Sequence, residues 1–249
     1  MIDAFEKISR FYRAAVPRSV RQLQWVSRPK DFVVRFLLRH DAVYNSAYYA
    51  NVIEPSAAAS SAPISKSICA DLGARSAVDV GCGTGALLDA LKSRGCDVFG
   101  YEYSAAAIRF CRARGVEVQK LDIERGTAAQ ERTFDVAISM EVAEHLPAAV
   151  AGRLIALLAR LSDVIVFTAA HPGQGGVDHV NEQPKSYWVE RFESAGFLSD
   201  EALAQQWSES WRRGGCVASW YFENLMVFRR KDEGRSILVG EAALQRRVQ

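Results

Sequence analysis

The chain has 249 residues, 49% of them hydrophobic and 24% charged, with 31 Lys/Arg against 29 Asp/Glu for a formal net charge of +2. That length fits one large α/β domain, or a domain with a cap, and buries enough surface to fold without disulfide or metal staples. The composition excludes wholesale disorder, and the near-balanced charge gives no general phosphate-neutralising surface of the kind a nucleic-acid binder uses. Cys69, Cys82, Cys96, Cys111 and Cys216 never form a Cys-x-x-Cys pair, so they read as reduced thiols rather than a disulfide frame or zinc knuckle. No run reaches the roughly eighteen apolar residues of a membrane span, and the N-terminus lacks an apolar signal region. A cytoplasmic location is expected.

Residues 1–50 hold nine Lys/Arg against four Asp/Glu. Phe5, Ile8, Tyr12 and Ala15 recur at helical spacing, which predicts a basic amphipathic helix. It is expected to cap the domain over the acceptor side or to reach a second subunit, which leaves room for a homodimer. Pro55–Pro63, a Pro/Ala/Ser stretch, reads as a bend. The expected organisation is therefore an N-terminal helical cap or arm over 1–62 and a second domain over 63–249.

Beyond the bend, short apolar runs alternate with helical patterns. Strands are predicted at Ala77–Val80, Asp97–Tyr101, Val116–Lys120, Phe134–Met140 and Asp163–Ala169. Helices are predicted over Ala86–Arg94, over Ala105–Ala113 with Ser104 as its cap, after Pro147, and after Pro184 with Gly196 as its stop. This alternation, with strands apolar throughout, predicts a parallel sheet covered on both faces. Ala218–Arg229 follows two glycines and reads as a strand that closes the sheet antiparallel.

The most informative stretch is Val78-Asp79-Val80-Gly81-Cys82-Gly83-Thr84-Gly85-Ala86, where a strand runs through three glycines into a helix. Glycines suit a tight turn that a ligand must approach closely. Asp79 would repel a pyrophosphate but suits a cationic group such as an ammonium. Glu102 ends the second strand, placed to accept two ribose hydroxyls, and Asp122 ends the third, placed to accept an adenine amine. Ligands of open α/β sheets lie at such carboxyl ends.

These ordered motifs, spread over about residues 77–228, resemble the class I S-adenosylmethionine-dependent methyltransferases. The resemblance implies an α/β, Rossmann-like doubly wound sheet of seven strands with an antiparallel last strand. It implies S-adenosylmethionine as cofactor, with Asp79, Gly81, Cys82, Gly83 and Gly85 on the methionine side. Glu102 would then meet the ribose and Asp122 the adenine, with Tyr103, Ile123 and Met140 as further cofactor-binding candidates.

The acceptor side leaves alternatives open. Glu141, Glu144 and His145 share a face if they form one helical turn, and His171 and His179 follow the fifth strand in a glycine-rich loop. One reading makes His145, His171 or His179 a general base for a hydroxyl. A second makes Glu141, Glu144, His145 and His179 ligands of a divalent cation, a set better suited to Mn, Co or Zn than to Mg. A third makes the Glu-His turn a helix cap with no chemistry. The Glu-x-x-Glu-His turn with a later histidine resembles the metal site of small-RNA terminal 2′-O-methyltransferases, and the turn alone resembles that of ubiquinone-pathway O-methyltransferases. Trp188, Trp207, Trp211, Trp220 and Tyr221 are candidates for a stacking wall or for core. The expected activity is O-methylation of a small-molecule hydroxyl, of a sugar or secondary metabolite. An RNA 2′-O-methyltransferase and a cofactor-binding scaffold without turnover are the rivals, and a nucleic-acid partner is not expected.

Overall fold

A computed structural model describes residues 44–126 and 132–231. The predicted helix over Phe5–Ala15 lies outside the described residues. Seven strands form one sheet: β1 (Ser76–Val80), β2 (Asp97–Glu102), β3 (Val118–Lys120), β4 (Val136–Met140), β5 (Val164–Thr168), β6 (Phe197–Ser199) and β7 (Met226–Arg230). Their order is β3-β2-β1-β4-β5-β7-β6. β1 pairs in parallel with β2 and β4, while β7 runs antiparallel to both β5 and β6. The order reverses beside β1, and this switch point opens the cleft described below.

Alternation along each strand sends side chains to two cores. Val78, Val80, Phe99, Ala137, Ile165, Phe167 and Phe228 face one side. There they meet α4 (Ala151–Leu161) through Leu154 and Leu158, and α5 (Lys185–Ser194) through Trp188 and Phe192. Ala77, Val98, Val136, Ile138, Val166 and Val227 face the other side. That side is covered by α1 (Glu54–Leu72), α2 (Ala86–Lys92) and α6 (Glu201–Gly214), through Ile64, Ile68, Leu88, Leu91, Trp207 and Trp211. Helices on both faces make the doubly wound α/β sheet that the sequence pattern predicts. α3 (Ala105–Ala113) starts at Ser104, whose Oγ accepts from the backbone N–H of Ala106 and Ala107.

Two expectations need correction. Pro55–Pro63 is not a bend: it lies inside α1, so a boundary at 62/63 falls within one continuous helix. Pro55 occupies the first turn, where its missing N–H costs nothing. Pro63 removes one interior hydrogen bond, and packing of α1 on α2 outweighs that loss. Arg94 strengthens the contact, its Nε donating to Ser65 Oγ (2.9 Å) and its Nη2 to Ala62 O (3.3 Å). The segment Ala218–Arg229 is not one strand either. Its first part forms the short helix α7 (Ser219–Glu223), and β7 begins only after the buried Asn224. Trp188, Trp207 and Trp211 are core, with Trp207 Nε1 donating to Asp71 (2.6 Å) and Trp211 Nε1 to Ser67 (3.0 Å).

Candidate active site

A cleft of about 820 Å³ opens at the carboxyl ends of β1, β2 and β4. Asp79, Gly81, Cys82, Gly83, Glu102, Tyr103, Asp122, Ile123 and Met140 line it, as do Glu141, Glu144, His145 and His179.

The glycine loop is shaped by close approaches. A Cβ on Gly81 would lie 2.4 Å from Val142 Cγ2, and its φ of +85° already favours glycine. Gly85 does not line the cleft. Its φ is +75°, and a Cβ there would meet Cys111 Sγ at 2.9 Å, so its task is to let α3 pack against the loop. Gly83 faces nearly open space, with Ile53 Cγ2 at 4.0 Å as the nearest atom to a built Cβ.

Glu102 is buried, with Oε2 accepting the backbone N–H of Gly83 (2.8 Å) and Oε1 that of Ser104 (2.8 Å). Burial pushes the Glu102 pKa up, and these donors work against that rise. Asp79 is buried with Oδ1 lacking a partner, and burial plus the neighbouring Glu102 charge raise its pKa to about 8. Asp122 Oδ1 accepts the N–H of Glu124 (3.0 Å) at the cleft's far end.

On the acceptor side, β4 is followed by Glu141, whose φ of +55° turns the chain sharply. A short 3-10 helix (Ala143–His145) follows. The loop after β5 is pinned back onto this turn, because the N–H groups of Val180 (2.8 Å) and Asn181 (3.0 Å) both donate to Glu144 O. That pinning brings His179 to His145, their rings edge to face at 5.0 Å. Ligand atoms of Glu144, His145 and His179 lie within 4.8 Å of one another.

Glu144 is fully buried with neither carboxylate oxygen meeting a donor in hydrogen-bonding geometry. Burial, then the Glu141 charge, push its pKa well above the usual carboxylate range. His145 Nδ1 lies 3.2 Å from the carbonyl of Asp178, and His179 Nδ1 lies 2.9 Å from Glu182 Oε1. Carbonyl and carboxylate oxygens only accept, so these two contacts favour a proton on Nδ1 of each ring. A buried carboxylate and two imidazoles with engaged outer nitrogens are the donor set a divalent cation takes.

Two residues of the sequence-derived set stand apart. Glu141 is not in this cluster: Oε2 accepts from Gln174 Nε2 (2.9 Å) and Oε1 from Asn224 Nδ2 (3.0 Å), an amide clamp that engages both carboxylate oxygens. His171 is exposed, its Nδ1 3.2 Å from Pro172 O, and it does not line the cleft. Sequence reasoning missed the tyrosines that wall the cleft from the N-terminal side. Tyr44 OH lies 3.4 Å from His145 Nδ1, with Tyr48 edge to face on Tyr44 at 5.2 Å. It also missed Gln174, Asn224 and Glu182. Only Glu182 left a local signal, three residues after His179. Of the aromatic candidates, Trp220 and Tyr221 do line the cleft.

A family model described as methyltransferase domain matches residues 77–163. A ubiquinone biosynthesis O-methyltransferase from Methylococcus capsulatus is 39% identical over 82 residues, 30% of this chain and 35% of that protein. The chain thus spans about a third of the length of that curated relative. A TehB-like SAM-dependent methyltransferase from Corynebacterium glutamicum shares the fold at 21% identity and a TM-score of 0.54, over 75% of this chain and 98% of that one. The sugar N-methyltransferase KedS8 from Streptoalloteichus shares it at 17% identity and 0.53, over 70% and 88%. No helix among the described residues is long and apolar enough to cross a membrane. Residues 77–163 thus match a methyltransferase domain, and the chain shares the fold of solved S-adenosylmethionine-dependent methyltransferases.

Proposed function

We propose that the chain transfers the methyl group of S-adenosylmethionine to a hydroxyl of a small molecule, a sugar or secondary metabolite, beside a divalent cation held by Glu144, His145 and His179. The observation that carries this reading is that these three side chains line the same cleft as Asp79, Glu102 and Asp122. Asp79 receives the cofactor's ammonium, Glu102 its ribose hydroxyls and Asp122 its adenine amine. An alcohol is a weak nucleophile, so O-methylation calls for a base or a Lewis acid. A divalent cation at the cluster would supply Lewis acidity and lower the pKa of the acceptor hydroxyl; two imidazoles suit Mn, Co or Zn better than Mg.

The chain's own groups orient the reaction. Tyr44, Tyr48, Trp220 and Tyr221 exclude water and offer faces on which a ring-bearing acceptor can lie. The acceptor oxygen bonds to the methyl carbon as the carbon–sulfur bond breaks, and the hydroxyl proton leaves to solvent. Among the described lining residues Arg125 is the one Lys/Arg, against Asp79, Glu102, Asp122, Glu124, Glu141, Glu144 and Asp178. This acid-rich lining favours neutral or cationic acceptors over RNA. The curated relative's activity, methylation at oxygen, agrees with the hydroxyl reading.

The test is transfer of radiolabelled methyl from S-adenosylmethionine to hydroxyl-bearing sugars and phenols, beside small RNAs. Label in a small molecule is expected. Label in RNA alone would support the rival, and tight cofactor binding with no transfer to any acceptor would favour a scaffold. In the same preparation, Glu102→Ala should weaken cofactor binding at least about tenfold, a loss of about 1.4 kcal/mol, by removing the ribose acceptor.

A further inference from the structure

Glu182 is used by neither the cofactor motifs nor the proposed cation set, yet it gathers three donors. Oε1 accepts from the N–H of Gly175 (2.7 Å) and faces His179 Nδ1 (2.9 Å), while Oε2 accepts from the N–H of Gly173 (2.8 Å). The glycine-rich turn and the His179 ring are therefore fastened to one carboxylate. The other end of the ring rests on Gly176: a Cβ built there would lie 2.1 Å from His179 Nε2 and 2.4 Å from Cε1. Any side chain at 176 would have to displace the ring. Two independent features, a three-donor carboxylate and a glycine seat, thus hold one imidazole in one orientation.

We infer that Glu182 is a positioning residue that fixes His179 as the Nδ1–H tautomer and locks the 173–176 turn against it, leaving Nε2 as the lone-pair nitrogen of the three-residue cluster. A carboxylate cannot donate, so it accepts only the ring's Nδ1 proton. The wrong tautomer would put a hydrogen where a cation or an acceptor proton must go. The glycine N–H groups make the restraint cooperative, since releasing the ring costs the carboxylate one of the contacts that shape the turn. This inference rests on the reading that His179 acts within the cluster, but the tautomer itself is measurable without substrate or cation.

The experiment is a long-range ¹H–¹⁵N spectrum of histidine-labelled, full-length protein, with the His179 signals assigned by loss in His179→Gln. Wild type is expected to show His179 protonated at Nδ1 and bare at Nε2. In Glu182→Gln, one neutral acceptor oxygen replaces two charged ones, and its amide can donate to the ring. The Nε2–H form should then appear, and the affinity for Co²⁺, titrated alone, should fall about 10- to 100-fold. An Nε2–H tautomer in wild type overturns the inference, even if the variant fails to fold. So does a folded Glu182→Gln with an unchanged His179 spectrum. Wild type that shows the Nδ1–H tautomer, loses it in the variant and takes up no Co²⁺ supports the role of Glu182 and removes the cation reading.

Discussion

Replacing His145 with alanine is expected to lower turnover by about 10²- to 10⁴-fold while leaving cofactor affinity nearly unchanged. The two effects separate because His145 is assigned to the acceptor side and the cofactor contacts to Asp79, Glu102 and Asp122. The ring is fixed by three neighbours: the Asp178 carbonyl at Nδ1, the edge of Tyr44 at 6.2 Å between centroids, and His179 at 5.0 Å. A group held this firmly has its lone pair aimed before substrate arrives, so its loss falls on kcat rather than on binding. Chelation distinguishes the two ways His145 can act. If it holds a cation, exhaustive chelation should match the alanine substitution, and added Mn²⁺, Co²⁺ or Zn²⁺ should restore turnover. If it is a base, chelated enzyme keeps its activity while His145→Ala loses it. Near-normal turnover of the alanine variant would remove His145 from the chemistry.

Cofactor binding is expected to tighten about fifty-fold between pH 6 and pH 8, with release of close to one proton at the lower pH. Asp79 is buried beside Glu102, and its pKa is raised to about 8 in the cofactor-free chain. An ammonium placed against it favours the carboxylate, so binding must first drive off the proton below that pH. The same raised pKa sets the sign for folding. Stability contributed by the neutral carboxyl is complete below the unfolded aspartate pKa near 4 and is lost as pH rises through about 8. The melting temperature of the cofactor-free chain should therefore fall across that window, and bound S-adenosylhomocysteine should oppose the fall. Calorimetry in buffers of different ionisation enthalpy measures the proton directly. Asp79→Asn should flatten the pH dependence; a slope that survives this substitution would assign the proton to another group.

The sheet was legible because its strands are short apolar runs bounded by turn residues, and the β1–loop–α2 unit carries its glycines within nine positions. Ser104 was legible as a cap because capping depends on three neighbouring residues. Pro55–Pro63 misled because local rules weigh proline heavily, while the helix there is held by α2 and Arg94, some thirty residues away. β6 and α6 were not anticipated: a three-residue strand carries almost no periodicity, and it is held by pairing with β7. On the acceptor side, residue types were readable but alliances were not. Glu141 looked equivalent to Glu144, yet Gln174 and Asn224 claim its carboxylate from 33 and 83 positions away. Nothing in the spacing of Glu-x-x-Glu-His distinguishes a clamped carboxylate from a bare buried one.

Titration calorimetry of the full chain with S-adenosylhomocysteine reads out whether the cleft beside β1 holds S-adenosylmethionine. The geometry of Asp79, Glu102 and Asp122 predicts binding of one equivalent per chain, tightening as pH rises toward 8, with no heat from NAD under the same conditions. Absence of S-adenosylhomocysteine binding at pH 8, or binding of NAD at comparable affinity, would mean that the cleft is not a methyl-donor site.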